Sequence, residues 1–328
     1  MIPNQWYVIL DSQELKKKNQ LVGVTRLGEK LVLWRDENNK VHCLYDKCAH
    51  RGAALSAGKI VHGEVQCPFH GLQYDSTGRC TIIPSRGEKA PVPSNFRVNS
   101  YTCREAHGFI WIWWGDVLEK TEYPEIPWFD DLDDSFSYGT KKDRWQSHYS
   151  RCIENQLDVS HLWIVHQNTI GRGNRKVCDG PVVELDDNTH IERIWVMNRT
   201  EDGTPSKLPK EIDKPEKEAL LHFIFPHIWQ NKIAEKIRIM IAFVPINEEN
   251  TILYMRFYQK FVNIPILSTL MNKMGLWGSK IIAHQDRRVV ETQVPKKTSL
   301  KMDENLYPAD LPIVVYRRMR EQLKNKSR

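Results

Sequence analysis

Cys48-Ala49-His50-Arg51-Gly52 and Cys67-Pro68-Phe69-His70-Gly71 lie in the first third of a 328-residue chain, with sixteen residues between His50 and Cys67. Each stretch offers one thiolate and one imidazole. Two cysteines and two histidines could hold tetrahedral zinc, but zinc sites usually group the cysteines as one pair and the histidines as another. A Cys and a His from each of two facing loops suit instead a two-iron cluster, with both cysteines on one iron and both histidines on the other. Neutral imidazoles in place of charged thiolates raise the reduction potential of such a cluster above that of an all-cysteine one.

This is the Rieske pattern. Pro68, and not a further cysteine, follows the second ligand cysteine, so the clamping cysteines of respiratory-type Rieske proteins have no counterpart. The two stretches resemble the Rieske domains of bacterial ring-hydroxylating and related oxygenases. Leu72 stands where many of those carry an aromatic, a departure that bears on packing around the cluster and not on ligation. The resemblance gives Cys48, His50, Cys67 and His70 to a [2Fe-2S] cluster. Cys43, Cys80, Cys103, Cys152 and Cys178 fall outside the spacing and read as buried or half-buried free thiols, and an odd total of seven does not look like a disulfide framework.

Outward from these loops, Gln5 to about Trp114 reads as short strands broken by Gly, Asn and Asp. Leu31 to Trp34 and Val41 to Leu44 flank the turn Glu37-Asn38-Asn39, and Leu72 to Tyr74 and Cys80 to Ile83 flank Ser76-Thr77-Gly78. The apolar strand from Gly108 to Gly115 precedes an acidic stretch, which puts a domain boundary near residue 117, with domains at 1–117 and 118–328. Beyond it come a helix candidate, Arg151 to Gln167, and strand-like runs His190 to Asn198, Ala219 to Trp229, Lys236 to Val244 and Thr251 to Phe261. Ile264 to about Thr292 turns helical. The expected fold is α+β: an all-β first domain, then an antiparallel sheet covered by helices, of helix-grip type.

A Rieske ferredoxin needs only about a hundred residues, so the rest of the chain has other work. In the helix candidate, His161 lies about 60° to one side of Asp158 and His166 about 80° to the other, at roughly 100° per residue, so the three share one broad face. Two imidazoles from neighbouring turns can hold one iron facially if a carboxylate arrives from elsewhere, leaving positions open for dioxygen. A five-residue separation is wide for a common ion and points to distortion near His166. In isolation such a trio reads as a solvated polar face; after a Rieske motif the metal reading prevails.

Asn155-Gln156-Leu157-Asp158, His161 and His166 also resemble the iron-binding segment of the Rieske oxygenases, in particular the phthalate-oxygenase-like branch. The resemblance implies a mononuclear Fe(II) on His161 and His166, with a third ligand from a C-terminal helix. In the matching segment Ala283 to Gln293 that ligand is Asp286, with Glu291 as the fallback; Gln285 departs from the commoner acid. The resemblance gives Asn155 and Asp158 to the catalytic site. The resemblance implies that Asp158 bridges an iron-binding histidine and His70 of the next subunit in a head-to-tail homotrimer.

It also implies partners: a reductase, a ferredoxin or both, passing electrons from NAD(P)H to the cluster. No G-x-G-x-x-G opens a helix after a strand, so the chain has no nicotinamide site of its own. The expected activity is a terminal oxygenase that uses O2 to hydroxylate or oxidatively demethylate a small organic, possibly aromatic, molecule. The alternatives are an electron carrier or redox sensor whose second domain lacks iron, and a non-catalytic binding protein. Trp195, Phe223, Phe225, Trp229, Met240, Met255 and Phe257 could line a pocket, though as a group they read first as core.

Composition agrees with a globular protein: 41% apolar, 27% charged, net charge +6. The basic residues are interspersed with acidic ones, so nucleic acid is not an expected partner. Arg317-Arg318-Met319-Arg320 to Arg328 reads as a solvated helix face, or else as a docking surface for an acidic redox partner. With no apolar run near the roughly 20 residues of a membrane helix and no basic leader, no membrane is expected and a cytoplasmic location is.

Overall fold

The computed structural model describes residues 1–326 except Asn19 and Lys120. The chain forms two compact units, Pro3–Ile126 and Met1–Ile2 with the chain from Pro127 onward. The first unit therefore runs past residue 117. Tyr123 holds the extra segment: its ring packs 5.5 Å from Trp113, its hydroxyl accepts from Thr102 Oγ1 at 2.9 Å, and Trp6 Nε1 donates to Pro124 O at 2.9 Å.

The first unit contains three antiparallel sheets. Both expected hairpins are present. Glu29–Arg35 pairs with Val41–Tyr45, and the turn between them is held by Asp36 Oδ1, which accepts from Asn38 N and Lys40 N at 2.9 Å each. Gln73–Tyr74 pairs with Cys80–Ile82. A core of Val32, Trp34, Leu44, Leu55, Val65, Leu72 and Tyr74 lies beneath the two Cys/His loops.

The second unit is the α+β layer: a seven-stranded antiparallel sheet in the order 137–145, 250–259, 237–247, 228–234, 221–224, 191–199, 177–186. Its two outer strands, Ser137–Trp145 and Val177–Asp186, carry half-buried mixed sequences and no apolar run to announce them. The expected single strand from 219 to 229 is two, Leu221–Ile224 and Ile228–Ala234, because Phe225-Pro226-His227 turns the chain between them. Pro226 has no N–H for a ladder.

The expected helix from 151 to 167 is broken as well. Helix α1 is Tyr149–Leu157, α2 is only Leu162–Val165, and Asp158 ends the first. Helix α3, Pro265–Val290, packs on the sheet. Gly275 is required there, since a Cβ would sit 2.5 Å from the Phe257 ring. Helix α4, Leu311–Lys326, corrects the expectation of a solvated basic face: Arg317 and Arg320 are buried with Met319 and Leu323. Arg317 forms two hydrogen bonds to the Glu154 carboxylate at 2.7 and 2.9 Å, and Arg320 Nη2 donates to Thr298 O at 2.6 Å. Arg328, the end of that basic stretch, lies outside the described residues. Among the described residues, no helix is long and apolar enough to cross a membrane.

Candidate metal centres

The two cluster loops are built alike. Cys48 N donates to Ala53 O at 2.8 Å and Gly52 N to Cys48 O at 2.9 Å; Cys67 N donates to Leu72 O at 2.8 Å and Gly71 N to Cys67 O at 3.2 Å. Gly52 and Gly71 close both turns at φ +74°, a left-handed conformation that favours glycine. The thiols point inward and are buried, whereas His50 and His70 are exposed with ring centroids 4.6 Å apart. Burial pushes the Cys67 thiol up. The N–H groups of Phe69 and His70 act against that, and the adjacent Cys48 thiol adds to it. Two buried sulfurs beside each other and two exposed imidazoles beside each other form the donor set a two-iron cluster needs.

Leu72 is buried in the core beneath the loops. Tyr74, two residues on, does what sequence reasoning missed: its hydroxyl lies 3.2 Å from Cys48 Sγ and accepts from Ala49 N at 3.1 Å. The five other cysteines are free thiols, and burial raises Cys80 to about 11 and Cys152 to about 12.

The second centre forms where α1 breaks. Asp158 Oδ1 accepts from Ser160 N and Ser160 Oγ at 2.7 Å each and from His161 N at 3.3 Å, which ends the helix and swings His161 onto the start of α2. His166 follows α2 directly. The two histidines thus converge across a break, not along a continuous helix. Asp286 of α3 meets them: its Oδ1 is 3.4 Å from His161 Nε2 and 2.9 Å from His166 Nε2. One ligand atom from each of the three lies within 4.8 Å of the others.

These atoms approach one another without hydrogen-bonding one another. Asp286 Oδ1 is buried and has no hydrogen-bond partner. Lone pairs aimed at one shared point produce that geometry, and a cation at the point would satisfy them. Burial disfavours charge on His161, yet the Asp158 and Asp286 carboxylates outweigh it and raise the imidazole to about 10, so the place attracts positive charge. His166 Nδ1 lies 2.8 Å from Gln285 Oε1, which also accepts from Thr169 Oγ1 at 2.9 Å. That acceptor requires the proton on Nδ1 and leaves Nε2 free to ligate. The departure to Gln285 therefore keeps the orienting hydrogen bond while removing a charge.

Glu291, the fallback ligand, is elsewhere: its Oε1 accepts from Gln146 N at 2.7 Å and Arg287 Nε at 2.8 Å. Asp158 Oδ2 stands 3.6 Å from His161 Nδ1. Asn155 Nδ2 is buried without a partner, and Gln156 Nε2 reaches Asp286 Oδ2 at 3.5 Å. A cavity of about 540 Å³, mostly apolar, opens beside the trio. Of the aromatic and methionine candidates only Trp229 and Met255 line it, together with Ile241 between them on the sheet; Asn231 and Arg175 are polar lining that the sequence did not suggest. Phe223 and Phe225 pack on Tyr316 instead.

An all-β unit with paired Cys/His loops, joined to a sheet-and-helix unit with a two-histidine, one-carboxylate cluster, defines the Rieske non-haem iron oxygenase class. Residues 5–102 match the Rieske [2Fe-2S] domain model, and residues 145–326, more than half the chain, match the vanillate O-demethylase oxygenase C-terminal domain model. The chain belongs to this family of Rieske oxygenases, whose cofactors are the [2Fe-2S] cluster and a mononuclear Fe(II).

Similar proteins include chlorophyllide a oxygenase of Chlamydomonas reinhardtii, 38% identical over 52% of this chain and 25% of its own. Methylxanthine N3-demethylase NdmB of Pseudomonas putida is 32% identical over 50% of this chain and 48% of its own. The aligned part thus spans a quarter to about half of these relatives. The solved structure of Pseudomonas putida CBB5 NdmA has the same fold, with a TM-score of 0.78 at 22% identity, covering 98% of this chain and 90% of that one.

Proposed function

We propose that this chain is a terminal oxygenase that activates O2 at a mononuclear Fe(II) held by His161, His166 and Asp286, and hydroxylates or oxidatively demethylates a small organic molecule. The convergence of three ligand atoms within 4.8 Å, one of them buried and unsatisfied, at the wall of an apolar cavity carries this reading. Bound iron supplies the site of dioxygen reduction. The chain's own groups do the rest. Gln285 keeps the His166 proton on Nδ1, and Asp158 orients His161. The apolar wall of Trp229, Ile241 and Met255 excludes water from the substrate, and Asn155 presents its amide to the cavity.

Cys48 and Cys67 hold one iron of the cluster and His50 and His70 the other, with electrons delivered by a partner reductase or ferredoxin that draws on NAD(P)H. In a head-to-tail trimer, Asp158 takes a hydrogen bond from His70 of the next copy. The exposure of His70 supports such a contact.

The test is iron and acid-labile sulfide content of anaerobically purified protein, the electron paramagnetic resonance spectrum after dithionite, and product formation from a substrate panel with a surrogate reductase. About three irons and two sulfides per chain, from one two-iron cluster and one mononuclear site, with turnover of some panel member, support the reading. Two irons, with none regained on adding ferrous ion, would sink it.

A further inference from the structure

Helix α3 carries apolar residues on two opposite sides. The buried side carries Leu276, Ala283 and Val290 among the polar Ser268, Asn272, Ser279 and Asp286. On the other, Ile266, Leu267, Leu270, Met274, Trp277 and Ile281 are between 36% and 83% exposed. At about 100° per residue these six fall within roughly 100° of arc, and at 1.5 Å rise per residue the stripe is about 22 Å long. Phe261 and Ile264, exposed just before the helix, extend it. A water-facing surface seldom leaves so long an apolar stripe uncovered.

The charge and polarity around the stripe select its cover. From Val262 to Gln285 there is no Asp or Glu, while Lys273 and Lys280, seven residues apart, border the stripe on one side. Thr269, the hydroxyl nearest that border, donates to Pro265 O at 2.8 Å. The face thus offers apolar area, an aromatic ring and cations; apart from Thr269, its exposed uncharged polar groups are confined to its ends, Asn263 before the helix and His284, whose Nε2 is taken by Asp143 at 3.3 Å. Those are the properties of a helix lying in the plane of an anionic lipid surface. The cavity beside the metal ligands is lined by Ile282, next to Ile281 of the stripe, and by Ile170, Leu220 and Ile233, which are themselves exposed.

We propose that the outward face of α3 docks on an anionic phospholipid bilayer, with Ile266, Leu270, Met274 and Trp277 at the headgroup–acyl boundary and Lys273 and Lys280 against lipid phosphates. The contact is peripheral and does not span the bilayer. It does not depend on the metal assignments above.

The test is co-sedimentation of the full-length holoprotein with phosphatidylcholine vesicles, with and without phosphatidylglycerol. Binding is expected to be roughly tenfold or more stronger with phosphatidylglycerol and to weaken as salt is raised. Leu270→Glu with Trp277→Glu, both at exposed positions, should lower vesicle binding by about tenfold or more while the visible spectrum and iron content stay unchanged. Lys273→Glu with Lys280→Glu should remove the preference for the anionic lipid. Wild-type protein left in the supernatant with both vesicle types overturns the proposal, as does binding that the Leu270/Trp277 variant retains. A wild type that ignores vesicles, combined with a fall in light-scattering mass for that variant, would assign the face to a second copy instead.

Discussion

Asp286 is buried at the meeting point of the two histidines in the second centre. Its Oδ1 is buried between two imidazole nitrogens with no hydrogen bond to either, so without a cation the carboxylate holds its place at the cost of an unsatisfied buried acceptor. Asp286→Ala should therefore lose the mononuclear iron, with affinity falling by more than roughly 100-fold, since even the partners that orient metal ligands are worth 10–100-fold. The red-brown absorption of the cluster should persist. Full mononuclear iron in that variant, by metal analysis, would reject the assignment. Tyr74 makes a second, independent prediction at the other centre. Its hydroxyl is 3.2 Å from Cys48 Sγ, and a donor to a ligating sulfur favours the reduced, more negative cluster. Tyr74→Phe should lower the midpoint potential by about 1 kcal/mol of hydrogen bond, or roughly 40 mV for one electron, by voltammetry. The two residues differ in how far the sequence reveals them. The proposed cluster ligands stand out in the sequence as four donors at short spacing, and Asp286 through a resemblance that points to its helix. Nothing local marks Tyr74, whose role depends on the hairpin that folds residue 74 back over residue 48, nor Gln285, whose orienting role depends on α3 lying beside residue 166.

Elements were legible where one periodicity ran undisturbed, as in Ile237–Asn247 and in α3, and failed where a side chain competes with the backbone ladder. Asp158 takes the N–H groups of Ser160 and His161 onto its own carboxylate and so ends α1. An Asp with a Ser two residues on is a turn signal that a 3.6-residue count overrides. Pro226 splits the expected 219–229 strand in the same manner. The basic tail misled for a different reason, because a sequence does not say where an arginine's counterion lies. Glu154, 163 positions away, takes Arg317 in a buried two-point pair that ties α4 to α1, the helix leading into the proposed metal ligands. Arg317→Met leaves the buried Glu154 with only Arg151 Nη1, at 3.6 Å, as a charge partner and should cost up to about 3–5 kcal/mol, read as a fall in the calorimetric midpoint. Adding Glu154→Leu should restore much of the loss, as removing both charges removes the uncompensated one. A double variant as unstable as the single would show that packing, not charge, is what Arg317 contributes.

At the scale of the whole molecule, the second unit stores its charge balance unevenly, and stability should follow pH accordingly. His227 is fully buried and burial lowers it to about 3; burial likewise lowers His148 to about 3 and His222 to about 4. All three stay neutral in the folded state where the unfolded chain, near 6.5, is already taking up protons. Between roughly pH 3 and pH 6.5 the unfolded state binds more protons, so stability rises with pH and falls on acidification. Glu192 works the other way: buried with both oxygens unpartnered, it is pushed well above the usual carboxylate range and favours the folded state at low pH. Burial also raises Asp310 and lowers His190, so two carboxyls stand against four imidazoles, and the net slope should be toward lower stability from pH 7 to pH 5. The share of His227 can be isolated. Each such group contributes roughly 1.4 kcal/mol per pH unit below about 6.5, so by pH 5 the contribution is roughly 2 kcal/mol. His227→Gln, measured by denaturant titration at several pH values, should show a smaller loss from pH 7 to pH 5 than wild type by about that amount. Any constant cost of the substitution shifts both ends equally and leaves the slope readable. Parallel pH curves for the two proteins would mean that His227 titrates normally, and that the unit opens enough near residue 227 for water to reach it.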